Sequence, residues 1–415
     1  MEGAIQSKQL NVEPRVWQNK NFLLLWAAGL LSSFGMSVFM FSQSWYVVRV
    51  LGLEASIGLI FVASSIPRLI FMLFGGAMAD RMSKTKIMWL SDFTRSLIAL
   101  GIVIWLLYGT VSLWSFVLCA FIFGILDAFF YPAENALIPS IVKKENLTRA
   151  NSIIQMTNQS SFILGPMIAG IIISWGSYPM VFSTTAFFML ISGIFILTMK
   201  IKMNQTDPSD ESSNILMSIK DGMKYVKQSR FLSTLLVVAV FLNLFMVGPL
   251  QMGLPLFVDN VLRGSTMDYS YLEGSLAIGM LVGSIIVGVL NVKKKRGKFM
   301  ILGLGVSGMS FLMFSMTNNL WLSLIVIILF GSTFPIINIP VISSIQEIVE
   351  DNMIGRVMSL VSFASMGLIP VSYVLTSLLL GTGLNITQIM FGGAFLILMF
   401  VVVILTKIPI LRDFD

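Results

Sequence analysis

Long apolar runs separated by short polar segments recur along the whole 415-residue sequence. Each run has about the 20 residues that an α-helix needs to cross a bilayer. The pattern predicts an all-α integral membrane protein with twelve transmembrane helices. The runs lie near residues 21–48, 55–79, 87–108, 112–133, 151–175, 179–199, 231–257, 270–290, 299–317, 320–344, 356–380 and 386–406.

Composition agrees with this pattern, because 56% of the residues are hydrophobic and only 11% are charged. So few charges cannot cover a water-soluble domain of this size, so lipid must cover most of the surface. Residues 1–20 are polar, and we therefore expect no cleavable signal peptide.

The basic residues predict an orientation. With the N-terminus in the cytoplasm, 23 of the 27 Lys and Arg residues fall in cytoplasmic segments. Only Arg49 and Arg263 fall on the other side, and Arg68 and Arg95 lie within helices. This positive-inside pattern places both termini in the cytoplasm. It also explains the net charge of +7 without a nucleic-acid partner.

The longest polar stretch divides the chain almost in half. We expect a cytoplasmic segment 1–20, a six-helix half 21–200, a linker 201–230, a second half 231–408 and a tail 409–415. Within the linker, residues 214–229 have apolar positions at helical spacing and lysines on the other face. They form either a short amphipathic helix on the membrane surface or a solvated basic linker.

The two halves resemble each other. Pro132 to Arg149 matches Pro340 to Arg356, each with a helix end, a charged loop and Arg-x-x-Ser opening the next helix. The offset of 207–208 residues is half the chain length. Paired six-helix repeats of this kind are a transporter architecture in which the substrate path lies between the halves.

Two signatures identify a family resemblance. Gly76, Asp80, Arg81 and Lys84 fit the pattern Gly-x-x-x-Asp-Arg-x-Gly-Arg-basic, although Ser83 and Thr85 depart from it. On the fifth helix, Gly165-Pro166-Met167-Ile168-Ala169-Gly170 fits Gly-Pro-x-x-Gly-Gly, with Ala169 in place of one Gly. The chain thus resembles the major facilitator superfamily over nearly its whole length.

Further stretches are similar to the macrolide-efflux-like branch of bacterial exporters. They are Ala128 to Pro139, Arg149 to Ser152 and Gly355 to Leu360. The resemblance implies a monomeric secondary exporter of the bacterial cytoplasmic membrane. Such a protein expels an amphipathic, drug-like or macrolide-like molecule by alternating access, in exchange for protons.

The Asp80-Arg81 turn suggests a conformational lock. Asp80 at the end of the second helix can accept hydrogen bonds from exposed amides near Gly355-Arg356, where a helix begins. Such a lock between the halves would hold the outward-facing state and release when the halves rock. The alternative is that Asp80 only balances Arg81 and Lys84 in setting the topology.

Arg68 and Asp127 lie at similar depth inside apolar helices. A lone charge there is costly, so each should face a partner or a water-filled path, and they could pair with each other. Asp127 either gains and loses a proton during transport or forms a permanent ion pair. Because the chain has no histidine, any proton coupling must use carboxylates.

Three more charged residues are candidates for coupling or for structure. Asp92 and Arg95 are three residues apart, so they share a helix face and favour a local ion pair. Glu134 is placed at the cytoplasmic end of the fourth helix, where it could contact Arg149 or the other half.

Prolines predict irregular helices. Pro166 should bend the fifth helix, and Gly165 and Gly170 should allow close packing there. Other prolines suggest breaks in the seventh helix (Pro249, Pro255) and in the tenth (Pro335, Pro340).

The resemblance also implies that helices one, four, seven and ten line a central cavity. Candidate lining residues are Phe34, Met36, Met40, Asn243, Met246, Gln251 and Asn338. The 28 methionines suit a site for varied apolar ligands, because the thioether is flexible.

Several classes of function are disfavoured. The chain has no phosphate-binding loop, no histidine and one cysteine, so we expect no ATP hydrolysis, no catalytic constellation, no metal site and no cofactor. A dedicated exporter of a siderophore or lipid stays an alternative, and an uptake symporter is another. A receptor or a membrane enzyme would not be expected to contain this internal repeat.

Overall fold

A computed structural model describes residues 16–81, 83–143, 146–199, 224–290, 296–349, 357 and 366–407. These residues contain helices, turns and loops and no β-strand. Eleven described helices are long and apolar enough to cross a membrane. The predicted all-α, twelve-span architecture of two six-helix halves is confirmed, and within the predicted eleventh span the structure describes the helix Ile369–Gly381.

The twelve spans are numbered α1 to α12. The first half contains α1 (Lys20–Arg49), α2 (Ile57–Arg81), α3 (Lys84–Tyr108), α4 (Leu113–Ile141), α5 (Leu147–Trp175) and α6 (Tyr178–Thr198). In the second half, α7 is composite: Arg230–Leu242, a π-helical Asn243–Val247, Gly248–Gln251, Gly253–Phe257 and a π-helical Val258–Leu262. The others are α8 (Thr266–Leu290), α9 (Arg296–Met316), α10 (Leu320–Ile348), α11 (Ile369–Gly381) and α12 (Ile386–Lys407).

Local sequence explains where several helices begin. Asn19 accepts hydrogen bonds from the backbone amides of Asn21 and Phe22 at the start of α1. Ser112, Ser177 and Asn319 cap α4, α6 and α10 in the same way. Each side chain satisfies amides that lack a partner within the first turn.

Prolines interrupt fewer helices than the sequence suggests. The prediction that the fourth helix ends near residue 133 is wrong, because α4 continues through Pro132 and Pro139 to Ile141. The predicted break in the tenth helix is also wrong, because α10 continues through Pro335 and Pro340. Neighbouring membrane helices can tolerate such prolines by satisfying the freed carbonyls. In α7 the predicted irregularity is present as two π-helical segments.

The internal repeat is visible in the helices. Both α4 and α10 have 29 residues, and they begin 207 residues apart, at Leu113 and Leu320. Gly124 of α4 packs on the backbone of α2, and Gly331, at the same offset of 207, packs on the backbone of α8. The same small-residue contact therefore joins the equivalent helix pair in each half.

We predict that Gly124→Val sharply reduces the folded yield. A Cβ at this position would lie 2.1 Å from the Ser64 carbonyl oxygen, which belongs to the rigid backbone of α2. Overpacking of this kind costs about 1–3 kcal/mol or more. Gly101→Val is the matched control, because a Cβ there meets nothing within 4 Å. Size-exclusion profiles of the two purified variants test the prediction, which fails if both elute as wild type.

The hydrophobic cores reveal how the halves meet. Near the end of the bundle that contains Arg49, one core combines residues of both halves, for example Phe41 with Tyr269 and Phe257. Near the end that contains Lys20, the described residues form separate cores, one around Phe22 and Ile138 and another around Phe231 and Ile404. The halves are therefore packed together at the Arg49 end and not, within the described residues, at the Lys20 end.

Candidate functional site: a cavity between the halves

A cavity of about 500 Å³ lies where the two halves meet. This volume is within the range of pockets that bind drug-sized molecules. Helices α1, α2, α4 and α5 supply one side, and α7, α8 and α11 supply the other. Its wall contains Ser33, Met36, Ser37, Met40, Phe41, Ser44, Phe61, Ser64, Ser65, Arg68, Leu69, Asp127, Tyr131, Asn158, Ser161, Phe162, Pro166, Val247, Gln251, Tyr269, Glu273, Met366, Ile369 and Tyr373.

The predicted cavity residues divide into two groups. Met36, Met40 and Gln251 lie on the wall of this cavity. The other four are not among its lining residues here, and their role in the substrate path stays a prediction. Phe34 packs edge-on against Phe188, and Met246 accepts a hydrogen bond from Ser307. Asn243 donates to the carbonyl of Ala239 in its own helix, and Asn338 is exposed.

Asp92, Arg95 and Asp127 form a buried ion-pair cluster. Arg95 Nη1 lies 3.2 Å from Asp92 Oδ1, and Arg95 Nη2 donates to Asp127 Oδ1. Arg95 is 2% exposed and Asp92 is fully buried. Asp92 also accepts from Ser32 Oγ at 2.8 Å and from Ser192 Oγ at 2.5 Å. Helices α1, α3, α4 and α6 are thus joined by one charged group.

The predicted pair between Arg68 and Asp127 is wrong. Both residues line the cavity, but Asp127 pairs with Arg95 of α3. The Arg68 guanidinium instead lies over the ring of Tyr131, 5.0 Å from its centroid. In the described ranges no carboxylate lies within ion-pair distance of Arg68. Arg68 therefore presents a positive charge that is supported by an aromatic face.

The sequence suggests that Glu134 lies at a helix end, but in the structure it lies inside α4 and is buried. Its Oε1 fills the space that a side chain at Gly29 would need, since a Cβ there would lie 2.8 Å away. The carboxyl therefore packs on α1 within its own half rather than on the other half. The side chain of Arg149 lies outside the described residues, so that contact stays untested.

Glu273 and Tyr269 were not predicted from the sequence. Glu273 lies on α8 in the cavity wall, one turn from Tyr269, which also lines the cavity. The Tyr269 ring stacks on Phe41 and Trp45 of α1, with centroids 4.3 and 5.5 Å apart. Glu273 is a lone acid in an apolar run, and this signal could have identified it as it identified Asp127.

At the Arg49 end, polar contacts join the halves. Arg49 Nη1 and Asp259 Oδ1 lie 2.5 Å apart between α1 and α7. Gly170 of α5 lies against α8, where Ser270 Oγ donates to the carbonyl of Pro166 at 2.9 Å. The predicted close packing at Gly170 is thus a contact between the two halves. These contacts close this end of the cavity.

Gly165 packs within the first half, where a Cβ would lie 2.3 Å from Ser37 Oγ of α1. Helix α5 is continuous through Pro166, and the gating role of that residue stays a prediction.

The predicted lock lies mostly outside the described residues. Arg356 lies outside them, and so do the side chains of Asp80 and Arg81 and the surroundings of Gly76. Lys84 is described, and its Nζ donates to the carbonyl of Ala136 at 3.0 Å, within the first half. The contact between Asp80 and the helix near Arg356 therefore stays a prediction.

The fold and the cavity define a membrane transporter built from two six-helix halves. A sequence model described as Major Facilitator Superfamily matches residues 25–373, and the chain belongs to this superfamily. It is therefore a multi-pass membrane protein of a family that transports small molecules.

Individual relatives agree with this assignment. Macrolide efflux protein A of Streptococcus pyogenes is 22% identical over 364 residues, which are 87% of this chain and 89% of that protein. Enterobactin exporter EntS of Shigella boydii is 22% identical over 69% of this chain and 67% of that protein. The crystal structure of the nucleoside transporter NupG shares the fold, with a TM-score of 0.74 at 13% identity over 95% of this chain.

Proposed function

We propose that this protein exports amphipathic small molecules across the bacterial cytoplasmic membrane in exchange for protons. The carrying observation is the interface cavity, which combines aromatic and Met side chains with the ionisable Arg68, Asp127 and Glu273. Apolar walls with few polar groups suit molecules that carry both characters. The similarity to macrolide efflux protein A supports export of drug-like compounds.

The state of the protein follows from the proposed orientation. If the basic segments face the cytoplasm, the Arg49 end faces outward. The shared core and the Arg49–Asp259 pair then close the outer side, while the separate cores leave the inner side unsealed among the described residues. We infer an inward-facing state, ready to take substrate from the cytoplasm or the inner leaflet. Rocking of the halves would open the outer side.

Asp127 is the proposed proton-coupling group. Its carboxylate belongs both to the cavity wall and to the ion-pair cluster, so water in the cavity can reach a group that Arg95 holds. In this state Arg95 is paired with the Asp127 carboxylate. Protonation of Asp127 would break its ion pair with Arg95 and leave Arg95 paired with Asp92 alone. The contact between α3 and α4 would change as a result. An intramembrane acid with this access is a reasonable carrier of protons.

Proton flux tests the proposal. Purified full-length protein in liposomes with an internal pH dye is exposed to lipophilic cations, macrolides and siderophores. We expect a substrate-triggered pH change with wild type and none with Asp127→Asn. Substrate exchange across the membrane without a proton gradient should survive in Asp127→Asn, because binding and rocking do not require net proton transfer. Asp92→Asn is the matched control, as Asp92 belongs to the cluster but not to the cavity wall.

Two results would contradict the assignment. If wild type and Asp127→Asn give the same pH change, Asp127 is a permanent structural ion. If Asp92→Asn and Asp127→Asn lose flux and exchange together, the cluster serves stability rather than coupling. Transport of a compound without any pH change would reject proton antiport itself, and no flux with any compound would favour a narrow endogenous substrate or another coupling ion.

Arg68 supports a second candidate function, export of an acidic metabolite such as a siderophore. Its guanidinium reaches the cavity without a carboxylate partner in the described ranges, and such a group binds acidic ligands well. The similarity to enterobactin exporter EntS is in keeping with this. The siderophores in the liposome panel distinguish the two candidates. An uptake symporter is the remaining alternative for the same fold. The direction of the proton flux relative to that of the substrate tests it.

A further inference from the structure

The charges of the cavity wall are unequal in how they are compensated. Asp127 is paired with Arg95, and Arg68 lies on the ring of Tyr131. Glu273 lies one turn from Tyr269, and across the described ranges no Lys or Arg lies within ion-pair distance of it. It is thus the carboxylate of the wall whose charge the described protein leaves without a cation.

A carboxylate in this position is expensive without a partner. Insertion of an acid at the centre of a membrane costs at least about 2.5–3.5 kcal/mol, which is why such groups pair or mark a ligand path. An ionised carboxylate has room for about four hydrogen bonds. Glu273 lines the cavity, where a ligand can approach its carboxylate.

Aromatic side chains share the cavity wall with this carboxylate. The ring of Phe41 lies in the cavity wall and stacks on Tyr269, while Gln251 of α7 adds an amide to the same wall. Aromatic faces attract ammonium and other organic cations, most strongly away from water. A carboxylate next to such rings combines the two interactions that hold an alkylated amine.

We propose that Glu273, with Tyr269, Phe41 and Gln251, forms a subsite for the cationic group of an amphipathic substrate. The inference rests on the proposed export function and names its substrate class, that of lipophilic amines and quaternary cations. The apolar remainder of the substrate occupies the Met and aromatic surfaces of α1 and α2. Arg68 repels a cation, so it directs the charged group to the Glu273 side of the cavity.

Two ions of the same shape and opposite charge test the subsite. Tetraphenylphosphonium and tetraphenylborate are bound to detergent-purified full-length protein and measured by scintillation proximity. Loss of the carboxylate charge opposite the phosphonium should weaken its binding by about tenfold to a hundredfold in Glu273→Gln. Tetraphenylborate binding should not weaken. Glu273→Asp, which retains the charge, should lie between wild type and Glu273→Gln for the phosphonium.

Glu54→Gln is the matched control, because Glu54 lies in the outer loop after α1 and outside this cavity. Equal phosphonium binding by wild type and Glu273→Gln would overturn the proposal, and so would absence of phosphonium binding by wild type. Equal weakening of both ions would show a general loss of cavity shape and would also overturn it. Proton flux in liposomes is read separately, so failure of the subsite and failure of proton-coupled export give different results.

Discussion

Replacement of Arg95 by Gln is expected to destabilise the protein by about 3–5 kcal/mol, the usual cost of removing one partner of a buried ion pair. The effect is large because one buried guanidinium serves two carboxylates, Asp92 and Asp127. Ser32 and Ser192 continue to support Asp92, but Asp127 is left without its cation. Unfolding of purified protein in lipid nanodiscs measures the loss.

Three further variants separate the charge pair from other effects. Arg68→Gln is the matched control, because it also removes an arginine from the middle of a span but breaks no ion pair in the described ranges. Arg95→Lys should recover only part of the stability, since an ammonium lacks the two-pronged geometry of guanidinium. Arg95→Gln combined with Asp127→Asn should be more stable than Arg95→Gln alone. An equal loss of stability in Arg68→Gln would contradict the prediction, because the ion pairs of Arg95 would then contribute nothing beyond the loss of an arginine.

The spans could be predicted because a bilayer demands about 20 apolar residues with every backbone group satisfied within the helix. Their ends were less predictable. The sequence predicts an end of the fourth helix near residue 133, but α4 continues to Ile141, because a membrane helix can continue through proline where neighbours satisfy the freed carbonyl. That error also moved Glu134 from the interior of α4 to its end.

The site was predictable as a set of residue types but not as a set of contacts. A charge inside an apolar run identifies Arg68, Asp92, Arg95 and Asp127, and the spacing of Asp92 and Arg95 identifies their pair. Depth along the helices could not choose the partner of Asp127, because that depends on how α2, α3 and α4 are rotated against one another. The family resemblance implies a wall of helices one, four, seven and ten, but α2, α5, α8 and α11 also contribute to it, so Glu273 on α8 was not predicted.

Replacement of Gly170 by Val is expected to abolish transport while the protein still folds. A Cβ at Gly170 would lie 1.8 Å from Ser270 Oγ and 3.4 Å from the carbonyl oxygen of Thr266. Since α5 and α8 belong to different halves, the extra volume forces the halves apart at the Arg49 end instead of disrupting one half. The state in which the Arg49 end is closed then becomes inaccessible, and the cavity stays open at that end.

Chemical labelling reveals this change of state. With Cys119→Ser as background, Ser44→Cys places a thiol in the cavity wall, where a maleimide that cannot cross the membrane is added from outside. We expect slow labelling when position 170 is Gly and fast labelling with Gly170→Val. Gly288→Val is the matched control, because it lies on α8 with nothing within 4 Å of its Cβ. If Gly170→Val labels as slowly as the control and transports normally, Gly170 does not seal the outer side. The closure there would then depend on the aromatic stack of Tyr269 and on the pair between Arg49 and Asp259.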